Sequence, residues 1–306
     1  MNTCWARPGG GFTLARPDGL RLDAGKHLPV DFWRAFNGAF PGVYKVGELL
    51  DGHAGTLAAT WREGGFTAMF DFPLAWAALD VFCRDASPAK LAAVLTDDAR
   101  YPDASSLVTL LDNHDLPRLM SVCGGDQQKV EQALRFLFAT RGTPSLTWGT
   151  EVGMTGAQEP ENRASMRFVA HPLRDFIAAR QRERATSPAL REGATVVLEA
   201  DARHVLFARV APDGATVHVR VEDGRVTVTD APDTPREVLV VRARAHTFEG
   251  TGRVVGSGAA LGDWDPRRAL TLPATVELPV RGVFEFKYLV DGEFEPGPNR
   301  VLYVAP

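Results

Sequence analysis

The chain has 306 residues, 45% of them apolar and 24% charged, with a formal net charge of −4. That length holds two domains or one large one, and the mild acidity supplies no basic field, so neither nucleic acid nor an anionic membrane surface is an expected partner. No run reaches the roughly 18 apolar residues of a membrane span, and Cys4, Cys83 and Cys123, odd in number and scattered, are expected as buried or free thiols rather than as a disulfide framework or metal site. Residues 1–18 show neither the basic start nor the apolar stretch of a secretion signal. From residue 19 to 193, apolar runs of strand length (19–24, 43–48, 66–72, 107–112 and 145–149) alternate with helical periodicity. The clearest helix spans 127–140, where Val130, Ala133, Leu134, Leu137 and Phe138 share one face and Asp126 is placed to cap the start. A further helix is expected over 171–184. Strands alternating with helices predict a parallel α/β sheet with right-handed crossovers.

Beyond residue 193 the pattern becomes all-β. Short alternating runs at 205–210, 216–221 and 225–228 are separated by Pro-Asp-Gly and Glu-Asp-Gly turns, which predicts hairpins over 194–230. Residues 231–236 read as a Pro-punctuated linker, and a second β unit fills 237–306.

Three strand-like runs end in a carboxylate. Asp23 closes Gly-Leu-Arg-Leu-Asp and precedes Ala-Gly-Lys-His, Glu48 closes Val-Gly-Glu, and Asp115 closes Leu-Asp-Asn-His-Asp. Two carboxylates facing each other across a sugar are the usual means of breaking a glycosidic bond. Each stretch alone has a plainer reading. A strand-end Asp is commonly a helix cap or turn former, Asp23 with Arg21 can be a simple ion pair, and Asn113-His114-Asp115 can be a turn or a metal-binding fragment. It is the three in this order, on one βα-patterned chain, that point to a catalytic centre.

Together these stretches resemble the second, third and fourth signature regions of the α-amylase family, family 13 of the glycoside hydrolases. Arg141-Gly-Thr-Pro-Ser-Leu-Thr-Trp-Gly-Thr-Glu-Val-Gly-Met154, followed by Pro160-Glu-Asn-Arg163, resembles that family's eighth barrel strand and its loop. The resemblance runs over about residues 17–193 and leans toward the cyclodextrin-forming and maltogenic members. Nothing matches the first signature region, an Asp-x-x-x-Asn-His motif, or the first three strands. The implied fold is therefore a partial (β/α)8 TIM barrel, strands four to eight, followed by a short all-β domain and a β-sandwich module. A truncated gene start and a secreted parent enzyme are the matching expectations. A sheet of five barrel strands would leave an open edge along its first strand.

By this resemblance Asp23 is the nucleophile, Glu48 the general acid/base, and Asp115 the carboxylate that binds ring hydroxyls. Arg21 would keep Asp23 ionised, His114 would hydrogen-bond the same sugar, and Lys26 and His27 would line the leaving-group side. Such residues stand at the carboxyl ends of barrel strands, where this alignment puts all three acids. The family's calcium is implied only faintly, through the main-chain carbonyl of His27.

In the last unit, Val255-Gly-Ser257, Leu261-Gly-Asp-Trp-Asp-Pro266, Phe284-Glu-Phe-Lys-Tyr288 and Phe294-Glu-Pro-Gly-Pro-Asn-Arg300 resemble a family 20 starch-binding module. The resemblance makes Trp264 and Phe294 platforms for sugar faces, with Lys287, Glu295 and Asn299 supplying hydroxyl contacts. The module is short, and Phe294 stands where a tryptophan is usual. For Trp264 the plain alternative is a half-buried core aromatic. Two functions follow from these readings. One is a retaining glycosidase or transglycosylase acting on α-1,4-glucosidic bonds of starch, maltodextrins or related α-glucans. The other is an inert fragment that only binds starch.

Overall fold

The computed structural model describes residues 17–231, 238–243, 252–256, 261–272, 274–279, 282–290, 293–294 and 300–304. Strands β1 (Gly19–Leu22), β2 (Tyr44–Gly47) and β3 (Ala68–Met69) pair in parallel, as do β4 (Val108–Thr109) and β5 (Thr143–Pro144). A parallel bridge between Phe70 and Val108 joins the two groups, so five strands lie side by side in chain order. Helices intervene: α1 (Val30–Ala39), α2 (Ala54–Gly64), α3 (Phe72–Cys83), α4 (Ala89–Thr96), α5 (Leu119–Val122) and α6 (Gln127–Ala139). After β5 come α7 (Pro172–Thr186) and the short α8 (Pro188–Glu192). This is the order of a section of a β/α barrel, and among the described residues β1 and β5 each pair on one side only.

The strands are shorter than the apolar runs that predict them, because the carboxyl-end residues of each run leave the sheet to build loops. The fifth run departs most. Residues 145–149 are not a strand: the ladder covers Thr143 and Pro144, and the chain turns at Gly149, whose φ is +86°. Ser145 still donates its amide to the Thr109 carbonyl at 2.7 Å, and the chain is off the sheet beyond it, before Gly149 is reached. Gly142, at φ +83°, is needed where it stands, since a Cβ there would lie 2.4 Å from the Leu107 carbonyl oxygen. The predicted helix over 127–140 is α6, and Asp126 caps it by accepting from the Gln128 and Lys129 amides.

The antiparallel sheet β6 (Ala194–Ala200), β7 (His204–Val210), β8 (Thr216–Glu222) and β9 (Arg225–Asp230) follows. Strand β8 alternates inside and outside, as its Val and His, Arg and Glu pattern dictates. Its inner face does not form a core of its own. Val205, Phe207, Val219, Val221 and Val226 join Leu74, Phe82, Leu91, Leu134, Phe136 and Leu173 of the helices in one cluster. The rings of Phe136 and Phe207 meet edge to face at 6.2 Å. A second cluster lies under the first strands, with Leu22, Trp33, Leu57, Trp61, Phe66 and Met69.

Buried arginines stitch these layers. Arg184 donates to the carbonyls of Phe138, Thr140 and Gly142, and Arg209 of β7 donates to those of Ala139, Leu190 and Gly193. The carbonyls left free where α6 ends are thus satisfied by side chains from two other elements. Arg141, itself buried, pairs with Asp71 at the start of α3 and lies 2.6 Å from Asp98. Cys83 and Cys123 form a disulfide, which corrects the expectation of free thiols. The end of α3 and the residue after α5 are brought together by packing, with Cα atoms 4.2 Å apart across 40 residues of sequence, and spacing alone does not carry that convergence.

In the last unit β10 (Val238–Ala243) pairs with β13 (Ala274–Pro279). Strands β11 (Arg253–Gly256), β12 (Leu270–Thr271), β14 (Gly282–Val290), β15 (Glu293–Phe294) and β16 (Arg300–Val304) form a second antiparallel sheet around β14. Most of the expected linker, residues 232–236, lies outside the described residues, as do Glu295 and Asn299.

Candidate active site

The backbone where β1 and β2 end brings two carboxylates side by side. Past the last ladder pair, the Glu48 amide donates to the Leu22 carbonyl at 2.9 Å, and the Gly25 amide donates to the Glu48 carbonyl at 2.7 Å. Ala24 between them adopts φ +54°. Asp23 and Glu48 then hydrogen-bond through their carboxyl groups. Arg21 holds both: one guanidinium nitrogen is 3.1 Å from Asp23 Oδ1 and the other is 2.6 Å from Glu48 Oε1. Asn113 Nδ2 approaches Glu48 Oε1 at 3.4 Å.

The two acids sit in unlike surroundings. Glu48 is 8% exposed, and burial, reinforced by the neighbouring Asp23, pushes its pKa up to about 7 against the pull of Arg21. The Asp23 side chain is 67% exposed. The hydrogen bond from Glu48 holds its carboxyl below the usual range, and Arg21 and His114 act in the same direction against a smaller burial effect. An acid that keeps its proton near neutrality beside a carboxylate that does not is the pairing that proton donation and nucleophilic attack at one bond require, the two carboxyls of a retaining enzyme standing roughly 5–5.5 Å apart across the substrate.

Asp115 stands in the turn after β4, next to His114. His114 Nε2 is 3.2 Å from Asp115 Oδ2, and Arg163 reaches the other oxygen while also binding Glu159 at 2.8 Å. Asn162 donates to the carbonyls of His114 and Leu116, so the loop after β5 grips the turn after β4. Lys26 and His27 stand exposed on the rim. Lys26 binds Asp51 at 3.0 Å, and His53 binds the same carboxylate at 3.0 Å. The His53 amide above all holds Asp51 down to about 2.

The sequence-predicted residues Arg21, Asp23, Glu48 and His114 are thus brought together, with Asp115 attached through His114 and Lys26 and His27 at the edge. Asn113, Asp51, Arg163 and Glu159 were not among the predicted residues. Arg163 belongs to the Pro-Glu-Asn-Arg stretch, so its motif was visible although its contact with Asp115 was not. Trp264, Lys287 and Phe294 belong to the last β unit. Trp264 is half-buried against Val255, Ala269 and Leu289, with φ +60°, while Phe294 is 44% exposed on β15. Among the described residues no three His, Cys, Asp or Glu side chains converge as a metal site. The main-chain carbonyl of His27, the one calcium contact that the resemblance implies, lies in an exposed turn.

The family model for the alpha amylase catalytic domain matches residues 18–192. The chain belongs to the alpha-amylase family. It is 35% identical over 211 residues to the cyclomaltodextrinase of Geobacillus thermopakistaniensis (strain MAS1), covering 63% of this chain and 34% of that protein. To the "Beta/alpha-amylase" of Paenibacillus polymyxa it is 34% identical over 184 residues, 58% of this chain and 15% of that protein. It therefore spans about a third or less of the length of these two relatives. The solved alpha-amylase of Geobacillus thermoleovorans, complexed with acarbose, shares the fold at a TM-score of 0.63 and 23% identity, covering 95% of this chain and 59% of that one. The matched span of this alpha-amylase family chain contains every member of the carboxylate cluster. Among the described residues no helix is long and apolar enough to cross a membrane.

Proposed function

We propose that residues 19–193 form the part of an amylase catalytic centre that cleaves or transfers α-1,4-glucosidic bonds of starch and maltodextrins with retention. The observation that carries this reading is the contact between Asp23 and Glu48, whose surroundings push their proton affinities apart. Glu48 gives its proton to the departing glycosidic oxygen while an Asp23 oxygen bonds to the anomeric carbon. Glu48, now a carboxylate, then takes a proton from water or from a sugar hydroxyl, whose oxygen displaces Asp23. Arg21 keeps Asp23 ionised and oriented. Asp115, braced by Arg163, and His114 bind ring hydroxyls, and Lys26 meets the leaving-group side. Purified chain incubated with soluble starch should release reducing ends. Starch pull-down with no release would favour the binding-fragment reading.

The last β unit is proposed as a starch-binding module of the family 20 type, supported by its antiparallel sheets and by the exposed ring of Phe294. Trp264 has one side against the core, which leaves the other for a sugar. Phe294→Ala should weaken retention on starch by roughly threefold to tenfold, since one stacked ring contributes about 0.5–1.5 kcal/mol. Unchanged retention in affinity electrophoresis would remove Phe294 from the binding face.

A further inference from the structure

We infer that Trp33, a helix residue that touches neither carboxylate, is the positioning residue that fixes the juxtaposition of Asp23 and Glu48. The inference rests on the catalytic reading above. Trp33 lies on α1 and is 4% exposed. Its ring packs against Phe66 at 5.4 Å and Phe32 at 5.2 Å, so its position is set by the core under the first strands. From there its Nε1–H donates to the Gly25 carbonyl at 3.0 Å. The amide of the same Gly25 donates to the Glu48 carbonyl at 2.7 Å. One residue, two positions after Asp23, is therefore held on one side by helix α1 and on the other by the backbone of Glu48.

The segment needs such a hold. Ala24, between Asp23 and Gly25, is at φ +54°, a conformation that residues with a Cβ seldom take unless the surroundings impose it. The Asp23 side chain has little packing of its own and depends on Arg21, Glu48 and the Ala24 amide. The fit is tight: a Cβ on Gly25 would come within 2.7 Å of the Glu48 carbonyl oxygen. If the Gly25 carbonyl loses its indole donor, Ala24 can relax, Gly25 swings from Glu48, and the carboxyls part. A displacement on the order of 1 Å in such a pair can cost about a hundredfold in rate.

The test is Trp33→Phe, which keeps an aromatic ring in the core and deletes the donor. On maltodextrin kcat is expected to fall about 10- to 100-fold with KM within about twofold. In protein labelled with carboxyl-¹³C Asp and Glu, the midpoint of Glu48 is expected to move toward the ordinary carboxylate range as Asp23 withdraws, leaving Arg21 and Asn113 as its facing groups. Wild-type kcat together with wild-type titration of both carboxyls would overturn the inference while leaving the catalytic reading intact. A wild-type chain that turns over nothing, but whose Glu48 midpoint shifts in Trp33→Phe, would sink the catalytic reading and keep the positioning role. Should Trp33→Phe not fold, Gly25→Ala, which strains the same junction from the Glu48 side, is read by the same two measurements. Unaltered kcat and titration in that variant would likewise overturn the inference.

Discussion

Glu48→Gln is expected to lower kcat on α-1,4-glucans by about 10²- to 10⁴-fold, the usual range for losing a positioned proton donor. An amide preserves the shape and most of the packing of an 8% exposed side chain, so the loss should appear without unfolding. Reducing-end assays beside thermal melts separate the two effects. The same residue sets the pH profile. Bond breaking needs Glu48 protonated, and its pKa stands at about 7, so kcat/KM should decline as pH rises through that value. On the acid side the decline should come only below the ordinary Asp value of 3.8, because Glu48, Arg21 and His114 favour the ionised form of Asp23. Stability carries a matching signature. Glu48 titrates at about 7 when folded against 4.5 as a model group, so the folded chain binds more protons. Its contribution is fully present below pH 4.5 and is lost as pH rises toward 7. Glu48→Gln should flatten that slope in melts taken across the window; a slope equal to wild type would mean that Glu48 does not carry the raised value.

The second large effect concerns folding. Arg141→Met should destabilise the chain by about 3–5 kcal/mol, because it leaves the carboxylates of Asp71 and Asp98 in the interior without their cation. Arg141 is 2% exposed and Asp71 is fully buried. Burial by itself would weaken the guanidinium's hold on its proton, but the two carboxylates reverse that and raise its pKa. Asp71 also caps α3 by accepting from the Leu74 amide, so the damage reaches a second element. Urea denaturation gives the measurement. Combining Arg141→Met with Asp71→Asn and Asp98→Asn should recover part of the loss, since the uncompensated charges then disappear. A triple variant no better than Arg141→Met would show that packing, not charge, carries the effect.

The carboxylate cluster was readable because its acids end apolar runs of strand length. Asp23 and Glu48 stand where β1 and β2 leave the ladder, Arg21 lies one pair inside it opposite Val46, and parallel pairing then sets the three side by side. What could not be read is what acts through backbone or through distant packing. Trp33 looks like one more apolar residue on the inner face of α1; its value lies in an indole N–H aimed at a carbonyl. Arg163 finds Asp115 across a 48-residue separation. Cys83 and Cys123 meet because α3 and α5 pack together, which spacing does not reveal. Residues 145–149 imitate a strand in composition, yet beyond the Ser145 amide they make no ladder among the described residues, and the chain turns at Gly149. The hairpins beyond 193 were legible from their turns, yet nothing in their alternation told that the inner face rests on α6.

That shared core bears on how such a chain could be assembled over evolutionary time. A gene joint at residue 193 would part Phe207 from Phe136 and would strand Arg209 away from the end of α6, so both halves would emerge with adhesive faces. The piece that recombination can pass between genes intact therefore extends from the parallel strands through Asp230, and exchange of neighbouring modules belongs beyond that point.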